Sequence, residues 1–133
     1  MSKYRIILAD DHVLVREGVK RLIEEDPKMA VVDDTGDGLE LLRLLEEMTP
    51  DMVILDISMP GLGGIEAIKI IKEHYPKIKL LVLTMHKSKE YVYVAMDNGA
   101  DGYVLKEDAN NVLHSAIKTI QHGKTFISPL IFG

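Results

Sequence analysis

Met52-Val53-Ile54-Leu55-Asp56-Ile57-Ser58-Met59-Pro60-Gly61 reads as a buried strand that stops on an aspartate and turns into a proline-glycine loop. An apolar run without alternation suits a strand covered on both faces, as parallel strands usually are. A carboxylate at the end of such a strand is costly to bury alone, so it calls for a cation, a metal or a covalent use. The same punctuation recurs along the chain. Ile6-Ile7-Leu8-Ala9 ends in Asp10-Asp11, Leu80-Leu81-Val82-Leu83 ends at Thr84, and Tyr103-Val104-Leu105 ends at Lys106. Met29 to Asp33 adds one more short strand.

Amphipathic helical stretches alternate with these strands. Val15, Gly18, Val19, Leu22 and Ile23 share one helical face, with Arg16, Glu17, Lys20, Arg21 and Glu24 mostly outside, and Pro27 marks the exit. Leu39 to Met48, Ile65 to His74 and Ser88 to Asn98 follow, with Gly99 as a C-terminal stop. Val112, Leu113, Ala116, Ile117 and Ile120 stripe a last helix before Gly123. Five apolar strands alternating with five helices predict a doubly wound α/β domain with a mostly parallel sheet. Ligands of such folds bind beyond the carboxyl ends of the strands, where strand order reverses.

The chain is 133 residues long and 47% hydrophobic, enough for one domain with a real core. Its net charge of -5 argues against direct nucleic-acid binding by this surface. The absence of cysteine removes disulfide frameworks and thiolate zinc sites. Neither a signal-peptide core nor a membrane-length apolar run is present, so a cytoplasmic location without membrane contact is expected.

The strand ends collect the chemistry: carboxylates at Asp10, Asp11 and Asp56, a hydroxyl at Thr84 and an ammonium at Lys106. If the first and third strands are neighbours, the three carboxylates repel one another unless a cation intervenes. Oxygen-only ligands point to a hard ion, Mg²⁺ in particular. Each residue has an ordinary reading by itself: Asp11 as a helix cap, Asp56 as a loop aspartate, Thr84 as a β-branched strand residue, Lys106 as a solvated lysine. Their joint placement on four strand ends favours function.

Through Asp10-Asp11, Asp56-Ile57-Ser58-Met59-Pro60-Gly61, Leu83-Thr84 and Lys106, the chain resembles the receiver domain of two-component response regulators. Ala9-Asp10-Asp11-His12, Leu83-Thr84-Met85-His86, Gly99-Ala100-Asp101-Gly102-Tyr103-Val104-Leu105-Lys106 and Gly123-Lys124-Thr125-Phe126-Ile127-Ser128-Pro129 resemble its NarL/FixJ (LuxR-type) group. Glu107, where many receivers carry a cis-proline, agrees with that group. The resemblance implies a flavodoxin-like (βα)5 fold with strand order 2-1-3-4-5. It implies that Asp56 takes a phosphoryl group from a sensor histidine kinase, with Mg²⁺ held by Asp10, Asp11, Asp56 and the backbone carbonyl of Ser58. Lys106 would offset phosphoryl charge, Thr84 would turn toward the new group, and Tyr103 would rotate from exposed to buried. The face built from the fourth helix, fifth strand and fifth helix would then control dimerisation or docking of an output domain.

Residues 1–123 are read as the receiver, and 124–133 as the start of a linker to a C-terminal helix-turn-helix domain through which any DNA contact would run. Within it, the apolar stretch Leu130-Ile131-Phe132-Gly133 is expected to be poorly ordered unless it packs on a partner. A stand-alone receiver is the second reading. Tyr103 is as consistent with packing as with switching. Gly61, Gly63 and Gly64 lack P-loop spacing and read as a flexible turn. His12, His74, His86, His114 and His122 show no zinc-like pairing, and His86 falls at the pocket rim, either solvated or influencing phosphoryl lifetime. No functional account of Thr35 follows from the sequence. A phosphatase or phosphotransferase is disfavoured because Ser58 stands where a second aspartate would be needed as general acid, so the domain is not expected to be an enzyme acting on external substrates. A flavin-binding module is disfavoured because Asp10-Asp11 repels a phosphate. A degenerate receiver is disfavoured because every reactive position is filled.

Overall fold

The apolar runs form the strands that their composition demands. The computed structural model describes residues 2–132, with β1 at Tyr4–Ala9, β2 at Met29–Thr35, β3 at Met52–Leu55, β4 at Lys79–Thr84 and β5 at Gly102–Leu105. Between them lie α1 (Val13–Glu24), α2 (Gly38–Glu47), α3 (Gly64–His74), α4 (Lys89–Asp97) and α5 (Ala109–Gln121). Strands pair in parallel in the order 2-1-3-4-5, followed by a short sixth strand, β6 (Phe126–Ile127), beside β5. No described helix is long and apolar enough to cross a membrane.

The sheet has two buried faces because side chains alternate along each strand. Ile7, Ala9, Val53, Leu55, Leu80, Val82, Tyr103 and Leu105 meet Leu41 and Leu45 of α2, Ala67, Ile68 and Ile71 of α3, and Val92 and Ala95 of α4. Ile6, Leu8, Met52, Ile54, Leu81, Leu83 and Val104 meet Val19 and Ile23 of α1 and Leu113, Ala116, Ile117 and Ile120 of α5. Each fully buried Ile or Leu contributes about 1.5–3 kcal/mol of burial energy. Truncating a central one such as Ile54 to alanine would cost about 2–5 kcal/mol.

Register fixes where the strands stop relative to one another. Ala9 pairs with Leu55, Leu55 with Val82, and Thr84 with Leu105. Asp10 and Asp56 therefore leave adjacent strands at one level, an arrangement held by the Asp56 N–H donating to the Ala9 carbonyl at 2.9 Å. β1 lies between β2 and β3, which makes this the place where chain order reverses.

One expectation changes. The stretch from Leu130 does not lie loose: β6 pairs with Gly102 and Tyr103, a 3₁₀ turn follows at Pro129–Ile131, and Ile131 is buried. The glycine stretch forms the expected turn, with one close approach inside it. Gly61 adopts φ +87°, and a Cβ on Gly64 would stand 2.2 Å from the Ile57 Cα.

Candidate functional site

Asp10 and Asp56 are side by side at the ends of β1 and β3, and both are almost fully buried. Two buried carboxylates repel strongly unless a cation joins them. Lys106, the first residue after β5, supplies it: its Nζ lies 2.8 Å from Asp10 Oδ2 and 2.7 Å from Asp56 Oδ2. The other Asp56 oxygen, Oδ1, accepts from the Ser58 N–H at 3.0 Å and from the Ser58 hydroxyl at 2.9 Å. Burial pushes the Asp56 carboxyl up, but the Lys106 and Ser58 hydrogen bonds outweigh it and leave Asp56 below the usual carboxylate value. Burial likewise pushes Lys106 down, and its bonds to Asp10 and Asp56 more than reverse that, so its value ends raised. Asp56 is thus held ionised, and Lys106 charged.

Asp11 stands at the mouth of the same cluster with its side chain one-third exposed. It does not cap α1. The cap position is His12, in extended conformation and without a side-chain cap bond. Instead the His12 N–H donates to Asp10 Oδ1 at 2.9 Å, and His12 Nδ1 lies 3.2 Å from Asp10 Oδ1 and 3.3 Å from Asp11 Oδ1. One ligand atom from each of Asp10, Asp11, His12 and Asp56 falls within a 4.8 Å cluster. Lys106 occupies the Oδ2 atoms of Asp10 and Asp56, their Oδ1 atoms accept from His12 and Ser58, and Asp11 is the exposed carboxylate of the group. Three carboxylates against one ammonium leave a net negative pocket of hard oxygen donors, which fits a small divalent cation such as Mg²⁺.

Thr84 ends β4 and is fully buried; its Oγ1 accepts from the His86 N–H at 3.4 Å. Tyr103 is also fully buried, and its hydroxyl donates to the His86 carbonyl at 2.8 Å. Burial first, and the Asp56 charge next, push its phenol well above the ordinary tyrosine value. The inward position of Tyr103 is thus the one present here, and both proposed switch side chains hold the backbone of His86. The His86 ring itself packs against Tyr91, with centroids 4.7 Å apart. Tyr91 belongs to α4, so this packing ties the loop after β4 to that helix.

Arg16, Thr35 and the Asp108–Ser128 pair escape the sequence reading. Arg16, expected outside, donates through Nη1 to the Asp10 carbonyl and pairs through Nε with Asp34 Oδ1 at 3.0 Å. Thr35 is buried at the end of β2, where its hydroxyl donates to Glu40 Oε1 and accepts from the Asp37 N–H. It fixes the corner into α2, a structural role for a residue that had none. Asp108 and Ser128 form a buried hydrogen bond just beyond Lys106. Arg16 was hidden because a long side chain on a polar helix face can still reach back to the preceding loop; the other two act through partners distant in the chain or through a turn.

Residues 6–118 match the family described as the response regulator receiver domain. The chain is 39% identical over 130 residues to transcriptional regulatory protein DegU of Brevibacillus brevis, covering 98% of this chain and 55% of DegU. A two-component response regulator of the LuxR family from Aurantimonas sp. SI85-9A1 superposes with a TM-score of 0.93 at 43% identity, covering 98% of this chain and 94% of that one. The isolated REC domain of RcsB from Salmonella enterica serovar Typhimurium, solved in the presence of the phosphomimetic BeF3⁻, superposes with a TM-score of 0.92 at 32% identity, with 98% and 97% coverage. The chain spans little more than half the length of the curated relatives it matches.

Proposed function

The chain belongs to the response regulator receiver family, in its NarL/FixJ (LuxR-type) group, and from that membership we propose that Asp56 is the phosphoacceptor of a two-component signalling switch. The observation that carries the proposal is the Lys106 ammonium bonded to both Asp10 and Asp56 at the carboxyl end of the sheet. No metal is needed to explain that ion pair, but the excess of carboxylates around it does call for one.

In the proposed reaction an Asp56 carboxylate oxygen attacks the phosphorus of a phosphohistidine on a sensor kinase. The new O–P bond forms as the P–N bond breaks, and its electron pair leaves on the imidazole nitrogen, which is then protonated. Being held ionised, Asp56 needs no base to activate it. Lys106 gives up its contact with Asp56 Oδ2 in favour of a phosphoryl oxygen while keeping Asp10, so its charge stays paired throughout. Ser58 steadies the carboxylate against rotation before transfer. Asp10, Asp11 and Asp56, with the Ser58 carbonyl, would hold Mg²⁺, which supplies positive charge to the transferring group. His12 Nδ1 stands among the same ligands.

The response would run through Thr84 and Tyr103. A phosphoryl group adds charge and acceptor oxygens within reach of the β4 end, and it shifts a conformational equilibrium only through contacts that differ between states. Thr84 turning its hydroxyl toward the group would release the His86 N–H, while Tyr103 holds the His86 carbonyl inward. The α4–β5–α5 face follows. Ser58 offers no carboxylate to act as general acid, so the site is proposed as a self-modifying acceptor rather than an enzyme turning over external substrates. The relation to the transcriptional regulatory protein DegU supports transcription control as the output; DNA contacts outside these residues, with homodimerisation on phosphorylation, are part of the proposal. A free-standing relay through protein contacts is the alternative.

Incubation with acetyl phosphate and Mg²⁺ followed by intact-mass measurement tests the proposal. One added phosphoryl group on the parent and none on Asp56→Asn is the expected pair of results; equal labelling of both would move the nucleophile elsewhere.

A further inference from the structure

The segment after Gly123 is tied to the residues on both sides of Lys106. Phe126 N–H donates to the Asp101 carbonyl at 3.2 Å and Ser128 N–H to the Tyr103 carbonyl at 2.8 Å, ahead of Lys106 in the chain. Beyond it, Lys106 opens a 3₁₀ turn that closes on Asp108. Asp108 is buried, and its Oδ2 accepts from the Ser128 hydroxyl at 2.6 Å, with Ser128 fully buried. Ser128 therefore ties the Tyr103 backbone, ahead of the lysine, to the Asp108 side chain beyond it. Past Ser128, Ile131 is buried in the same core cluster as Tyr103, Val92 and Ala95, and the Lys89 Nζ of α4 lies 5.5 Å from the centroid of the Phe132 ring.

A carboxylate buried next to the acid pocket would be a poor choice for simple packing. Buried polar groups are retained where both partners are satisfied and where they hold a unique arrangement. Here the arrangement held is a short turn whose first side chain reaches Asp10 and Asp56. We infer that Ser128 and Asp108 are positioning residues for Lys106, and that residues 126–132 are thereby coupled to the phosphorylation state of Asp56. This rests on the phosphoacceptor reading above.

Phosphorylation moves the Lys106 ammonium from a carboxylate oxygen to a phosphoryl oxygen, and the turn that carries it moves only if its Asp108 end allows it. Tyr103, inward in this structure, packs with Ile131 in one cluster, so the state that keeps Tyr103 inward also keeps the tail docked. If occupancy of the acid pocket tightens the tail by some factor, undocking the tail weakens occupancy by the same factor.

Hydrogen exchange read by mass spectrometry tests this, using the whole chain with Mg²⁺ and with or without BeF3⁻. In the parent, protection of residues 56–62 reports binding of BeF3⁻, and residues 126–132 should exchange about fivefold more slowly when it is bound, the low end of ordinary coupling. In Ser128→Ala the tail should no longer respond, and BeF3⁻ affinity should fall about fivefold. Asp108→Asn, which keeps an acceptor oxygen for Ser128, should retain most of both effects. A purely structural tail would exchange faster in Ser128→Ala by the same factor with and without BeF3⁻, and affinity would not change; that result overturns the inference. Protection at 56–62 in the parent with no change at 126–132 overturns it as well, without touching the phosphoacceptor reading. No protection at either place sinks that reading and the inference together.

Discussion

Lys106 Nζ lies 2.7 Å from Asp56 Oδ2 and 2.8 Å from Asp10 Oδ2, so one ammonium joins the ends of β1, β3 and β5. The two carboxylate side chains are 2% and 3% exposed, so both charges are largely removed from water. A buried ion pair is weak evidence of net stabilisation, but removing one partner is expensive because the other charge is left behind.

Lys106→Met should therefore destabilise the fold by about 3–5 kcal/mol, read as the midpoint shift in urea denaturation. Adding Asp56→Asn should recover part of that loss, since it removes one of the stranded charges. Simple additivity of the two substitutions would show that the pair is not coupled.

The pH dependence follows from the two shifts. Asp56 has a lowered value in the fold, so its contribution is complete above the ordinary carboxylate pKa of about 3.9 and is lost as pH falls through the lowered value. Lys106 has a raised value, so its contribution is complete below the ordinary lysine pKa of about 10.4 and is lost as pH rises through the raised one. These two groups give a plateau of stability from about pH 4 to pH 10 with a decline on either side. Thermal melts across pH should show a shallower acid decline in Asp56→Asn than in the parent; identical profiles would contradict the pairing.

Asp11→Asn separates binding from stability. Asp11 makes no bond to Lys106 and adds negative charge to a pocket already in excess, so its neutralisation should raise the melting temperature slightly when Mg²⁺ is absent. The parent should gain about 2.7 kcal/mol at a Mg²⁺ concentration a hundredfold above its dissociation constant, and the variant far less at the same concentration. Equal gains in both proteins would exclude Asp11 as a ligand.

The loop that carries Asp56 and Ser58 into α3 depends on a close approach. Gly64→Ala would drive a Cβ to within 2.2 Å of the Ile57 Cα and should cost about 1–3 kcal/mol, the usual range for overpacking. Gly63→Ala meets nothing within 4 Å at a φ of -59° and should be neutral or stabilising by up to about 1 kcal/mol. Denaturation midpoints of the two variants check the contrast.

The sequence made the strands legible because parallel strands buried on both faces leave continuous apolar runs, and the residue ending each run, Asp10, Asp56, Thr84 or Lys106, could be read directly. What it left out has physical reasons. β6 is two residues long, and Ser128 and Ile131 are buried by contacts with β5, Asp108 and α4 that no local pattern encodes. Asp11 looked like a helix cap, but the cap position falls one residue later, at His12, and the acid joins the pocket cluster instead. His12 was one of five scattered histidines until the turn after β1 brought its Nδ1 to the two carboxylates. Tyr103 carried no sign of its orientation, which is set by the His86 carbonyl.

In the proposed reaction the covalent bond forms on Asp56 and nowhere else. Borohydride reduces an aspartyl phosphate to the alcohol, leaving homoserine at the modified position, which peptide sequencing by mass spectrometry locates. After treatment with acetyl phosphate and Mg²⁺, homoserine is expected at position 56 alone, and none when Mg²⁺ is withheld by chelation. Homoserine at Asp10 or Asp11, or a phosphoryl group that survives on a histidine or serine with position 56 unmodified, would contradict it.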